Sequence, residues 1–130
     1  ALWKFQNALE ELGVDQKVAT FTLSDFGRTI SNNGDGTDHA WSTINMVMSN
    51  VARFNGGEFY GSLPDFTMGG DDDATNKGRF IPKLCVDQMN ATLCSWFDVP
   101  DADMTNLFPN LSNFKSGSGI DTAYINQLFT

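Results

Sequence analysis

"KVATFTLSDFGRTISNNGDGTDHAW", Lys17 to Trp41, joins an apolar run to a stretch full of Gly and Asn. Lys17 to Ser24 is rich in β-branched and aromatic residues and reads as a short buried strand. Ser24 to Ala40 then reads as a long loop, ending on the chain's single histidine, His39, beside Asp38. In open α/β sheets, loops at the carboxyl ends of strands are where ligands bind.

Upstream, Leu2, Phe5, Leu9 and Leu12 recur at helical spacing with Ala8 on the same stripe, and Gly13 stands just past the end. That pattern predicts an amphipathic helix with a glycine stop. A helix, a tight connection and a buried strand predict an α/β layer with a mixed, mostly parallel sheet. Downstream, Ile44 to Phe54 is apolar and fits a strand or a helix; Gly56-Gly57 and Glu58 to Gly61, which look like a hairpin continuation, favour the strand. Arg79 to Cys85 reads as a short strand ended by Pro82. Asp87 is placed to cap a helix from Gln88 to Phe97, whose apolar face is Met89, Leu93, Trp96 and Phe97. Asp101 to Phe114 reads as a short helical turn followed by an irregular aromatic segment. There is no internal repeat and no linker, so residues 1–130 read as a single unit.

Bulk composition excludes several function classes. With 130 residues and 41% hydrophobic content the chain can bury a real but modest core. A net charge of −8 with only eight Lys and Arg leaves no basic surface for nucleic acid. No apolar run approaches the roughly 20 residues of a membrane span. Cys85 and Cys94, if both on one helix, stand about 13 Å apart along its axis, beyond the roughly 7 Å a disulfide spans. A bridge is possible only if Cys85 precedes the helix and folds back; two buried thiols are expected.

Asp38-His39 is the strongest candidate for chemistry. A carboxylate and an imidazole are both metal ligands, and adjacent residues pointing to different sides can serve two ions about 4 Å apart, as in phosphoryl transfer. Arg28 is the candidate contact for an anionic group. It could instead pair with Asp25 or Asp38. Ser24 has no second histidine to serve as its base, so a turn-capping role is expected for it. Asp71-Asp72-Asp73 lacks the alternating spacing of a Ca²⁺ loop and reads as a solvated acidic turn.

Three stretches resemble one bacterial family. Phe21 to Trp41 is similar to its SEFGRT and GTDHGW motifs joined by a glycine-rich loop, and Asn55 to Phe66 to its GG-x-x-YG-x-x-P segment. Gly78 to Phe114 resembles its closing run: an IP strand, a VDQ-x-x-ATL helix, WF-x-V and a DLFPNL-type end. The family is the domain of unknown function 1501, grouped by similarity with the alkaline phosphatase and sulfatase superfamily and usually preceded by a twin-arginine export signal. The resemblance implies the C-terminal portion, about a third, of an alkaline-phosphatase-like sandwich, in a protein exported to the periplasm, surface or exterior. It places Asp38 and His39 on a metal-binding TxDH motif, implying a divalent cation such as zinc or calcium and hydrolysis of phosphate or sulfate esters. The nucleophile and remaining ligands of that superfamily come from the earlier part of the chain, so residues upstream of Ala1 are expected to be needed.

One Asp and one His do not complete a two-ion site. The missing part of the sheet also implies an exposed apolar surface, covered by the remainder of the parent polypeptide, by another chain or by self-association. Ala40, Asp25, Asn45 and Ser49-Asn50 depart from the family's Gly, Glu, His and Gly-Gly. Those departures support an alternative: a non-catalytic structural or assembly protein that keeps the fold with a degenerate site.

Overall fold

The computed structural model describes residues 1–130 and is mixed α/β. Helix α1, Leu2–Glu11, forms on the expected stripe. Gly13 stops it with φ +67°, a left-handed conformation that glycine adopts without a Cβ penalty, and Val14 N–H then reaches Leu9 O at 3.0 Å. Only Leu9 of that stripe is buried, while Leu2, Phe5 and Leu12 stay exposed.

Four short strands follow: β1 (Ala19–Phe21), β2 (Gly27–Asn32), β3 (Thr37–Ala40) and β4 (Val47–Ser49). β1 pairs with β4 and β2 with β3, giving two separate two-stranded sheets, both antiparallel. The expected parallel sheet is therefore corrected. Parallel neighbours need a crossover of a dozen or more residues, usually a helix. Between β1 and β4 the chain instead inserts the β2–β3 hairpin and no helix. Nor is there one large sheet with helices laid on it, as an alkaline-phosphatase-like sandwich requires.

The expected loop from Ser24 to Ala40 is that hairpin. Asn33 to Gly36 turns the chain, with Asn32 Oδ1 accepting from Gly34 N–H at 2.6 Å and Asn33 Oδ1 from Asp35 N–H at 3.0 Å. Such Asx turns are what Asn supplies at a reversal. Gly27 is required for a different reason. A Cβ there would run into the backbone carbonyl of Ser42.

The Ile44 to Phe54 strand is confirmed only at Val47–Ser49, and no hairpin continues it. Phe54 makes one isolated bridge to Phe129 instead. Arg79 to Cys85 likewise reduces to a single bridge between Phe80 and Asp73. Helix α2 runs from Val86 to Trp96, starting earlier than predicted, because Gln88 rather than Asp87 does the capping. Gln88 Oε1 accepts from Cys85 N–H at 3.1 Å, and its Nε2 donates to Ala123 O at 2.9 Å. Helix α3 spans Asp101–Leu107 and is followed by 3₁₀ turns at Leu111–Phe114 and Ile120–Ala123.

The core lies among these C-terminal elements, not between helices and sheet. Ala91 of α2, Met104 of α3, Leu111 and Ala123 are fully buried together. Cys94 packs against them, and both cysteines are free thiols, half-buried instead of buried as expected. Only 15 of 130 residues are buried. Large apolar side chains from Trp3 to Phe114 remain exposed along the whole chain.

The acidic turn is not simply solvated. Asp73 is buried and accepts four backbone N–H groups: Gly69 and Gly78 on Oδ2, Thr75 and Arg79 on Oδ1. Asp72 pairs with Lys83 and accepts from Asp65 N–H. Asp71 alone remains exposed, as predicted for all three.

Candidate functional site

Strand β3 positions both members of the Asp38-His39 pair, and strand alternation sends their side chains to opposite faces. Asp38 lies half-buried on the inner face. Its N–H donates to Thr29 Oγ1 at 3.0 Å, and its Oδ1 accepts from Asn33 Nδ2 at 2.6 Å. Its other carboxylate oxygen makes no hydrogen bond within the chain.

His39 is on the outer, exposed face. Its ring lies flat on Phe26, with centroids 3.6 Å apart and planes 12° from parallel. Arg28 is its direct cross-strand partner. The guanidinium sits 5.1 Å from the same Phe26 ring and donates from Nη1 to Thr37 O at 2.8 Å. Arg28 thus pairs with neither Asp25 nor Asp38. The imidazole and guanidinium form one exposed edge around an aromatic ring, a cluster in which Phe26 was not foreseen. Ser24 holds the turn before β2, its Oγ donating to Phe26 O at 2.8 Å.

Because Asp38 and His39 diverge, they cannot chelate one ion together. No three or more His, Cys, Asp or Glu side chains converge anywhere in the chain. A closed zinc site takes four ligands and calcium six to eight oxygens. These residues can supply a fraction of such a centre, not the whole of it.

Two clefts fall outside the expected site. One, about 390 Å³, lies between β1 and the C-terminal end of α2 and is lined by Phe21, Leu93, Phe97 and Val99 among eight apolar residues of nine. The other, about 510 Å³, lies between the end of α2 and the C-terminal segment, with Trp96, Arg53, Asp98 and Asp121 on its walls. Near its rim, Tyr124 donates to Asp101 Oδ1 at 2.6 Å. Burial first, then that carboxylate, pushes the tyrosine hydroxyl well above its ordinary range, so it stays protonated. The α2 apolar face hinted at the first cleft. Nothing in the residue pattern puts Arg53 and Asp121 on the walls of one cleft.

No curated protein and no solved structure matches the chain significantly. One family model does, over residues 1–106, which includes the hairpin, the acidic turn and helix α2. On that match the chain belongs to the family described as Protein of unknown function (DUF1501).

Proposed function

We propose that these residues act as a packing and assembly part of a larger folded unit, with the apolar cleft beside β1 as the seat for further chain of the parent polypeptide. The carrying observation is the cleft itself. Eight of its nine lining residues are apolar, and Phe97 at its edge is 73% exposed. Strand β1 also pairs on one side only, leaving its outer backbone edge free for another strand. Exposed apolar surface of this kind marks an interaction site. The resemblance to a family of longer, twin-arginine-exported proteins supports the same reading and an exported location.

Hydroxyl-radical footprinting tests it. Phe97 and Phe21 should be labelled in the isolated 130-residue chain and protected in the parent protein. Equal labelling in both overturns the assignment.

A second reading rests on the hairpin. Asp38 and His39, on opposite faces of β3, would each give a ligand to a separate divalent cation, zinc or calcium, of a two-ion phosphate or sulfate ester hydrolase centre completed by residues outside this chain. The unbonded Asp38 oxygen and the exposed His39 ring favour it, as does Arg28, whose remaining donors face solvent beside His39, where an anionic ester would be met. Metal analysis of the intact parent protein decides. Stoichiometric metal lost in the Asp38→Ala/His39→Ala variant supports this reading, and a metal-free, fully folded parent removes it.

A further inference from the structure

The roughly 510 Å³ cleft at the C-terminal end of α2 has the size of a small-molecule site, typically about 300–1,000 Å³. Its chemistry is unusual for a packing gap. Only four of its thirteen lining residues are apolar. Among the polar ones, Arg53, Asp98 and Asp121 bring opposite charges to one cavity without pairing, since the molecule's single ion pair is Lys83 with Asp72. No intramolecular hydrogen bond occupies the side chains of Arg53, Asp98, Asp121 or Asn126, so donors and acceptors remain available together.

Trp96 supplies a rigid apolar wall. It is half-buried and stacked on Phe129, with centroids 5.5 Å apart and planes 19° from parallel, so the indole is fixed before any ligand arrives. Two further observations converge on the same place. Asp98 and Gln127 have φ of +62° and +65°, and they are two of only three non-glycine residues in the left-handed region. Both line this cleft. Asp98 occupies the position after the α2 C-cap, where glycine would be free of strain. Polar side chains are thus kept at the cavity at a backbone cost, the pattern strained residues show at binding sites.

A ligand of single charge would be repelled by one set of walls. A neutral ring bearing many hydroxyls uses both, giving hydrogens to the carboxylates and accepting from the guanidinium and amide, while its C–H face lies against indole. We propose that this cleft is a carbohydrate-binding site for a neutral saccharide, with Trp96 as the apolar wall and Arg53, Asp98 and Asp121 as its hydrogen-bonding groups.

Isothermal calorimetry on the full chain with a panel of neutral saccharides (glucose, galactose, N-acetylglucosamine and their β-linked disaccharides) tests it. At least one should bind. Asp98→Asn and Asp121→Asn, which lose no intramolecular hydrogen bond, should each weaken that ligand about tenfold, the worth of one hydrogen bond to a charged group. Trp96→Phe should weaken it while the circular dichroism spectrum is kept, and Asp38→Ala/His39→Ala should leave binding unchanged. The proposal is overturned if no saccharide binds up to about 10 mM, if the Asp98→Asn/Asp121→Asn double variant binds undiminished, or if lysine or glycine binds there instead.

Discussion

Asp73 shows how much one side chain can organise. Burial alone would raise its carboxyl pKa, but the backbone N–H groups of Gly69, Gly78, Thr75 and Arg79 outweigh that and hold it at about 2, against an ordinary 3.8. Asp65, through its hydrogen bonds from Thr67, and Asp72, through Lys83, are lowered as well. A depressed folded-state pKa contributes stability that is fully present above the unfolded value and is lost as protons bind. Stability should therefore hold down to about pH 5 and fall progressively as pH approaches 2. Asp73→Asn, left with one acceptor oxygen for four donors, should lower the thermal midpoint at pH 7 and flatten that acid dependence. Thermal melts of both proteins from pH 7 to pH 2 check the two effects together. Gly27 makes a complementary case, since its constraint is space and not charge. Gly27→Ala should cost about 1–3 kcal/mol or more by forcing β2 away from the Ser42 carbonyl, measurable as a lower urea midpoint.

The β2–β3 hairpin hangs on Thr29, a buried hydroxyl that accepts from Asp38 N–H at 3.0 Å. Thr29→Val keeps the shape and leaves that N–H unpaired, which should cost about 1–3 kcal/mol. Thr29→Ser should recover most of it, and equilibrium urea unfolding of the pair provides the measurement. Thr29 also explains why the hairpin was not legible. Its inner face is Gly27, Thr29, Asp38 and Ala40, small or polar, so the run of large apolar residues in alternation that announces a strand is missing. Helix α1 and most of α2 were legible because their apolar periodicity is strong, whereas the Val47–Ser49 strand, evenly half-buried, lies in an apolar run without alternation that fits strand or helix equally. Side-chain type marked Asp38 and His39 as ligand-capable, but only strand geometry shows that they diverge. Nothing in three consecutive aspartates says which one the turn will bury.

Burial is unevenly shared across the chain, and its stability should follow. The one dense cluster, Ala91, Met104, Leu111 and Ala123, joins α2, α3 and the two C-terminal 3₁₀ turns. Gln88 and Thr92 tie the tail to α2 through Ala123 O and Ile125 N–H. The two sheets contribute few members to the buried set: Gly27, Thr29 and Ala40 of the hairpin, and none from β1 or β4. Local opening energies track buried contacts, so hydrogen exchange should be slowest in α2 and fast across the hairpin and β1–β4. Met104→Ala should cost about 2–5 kcal/mol, a large share of the roughly 5–15 kcal/mol a domain has. It should accelerate exchange throughout α2 and α3. A substitution at exposed Ile30 on the hairpin should leave those amides unchanged. Exchange mass spectrometry on the isolated chain separates this division from a uniform one. If α2 and the hairpin opened together with one free energy, the two sheets would belong to the same cooperative unit as the helices. The free edge of β1 would then be a finished surface instead of a place where more chain is received.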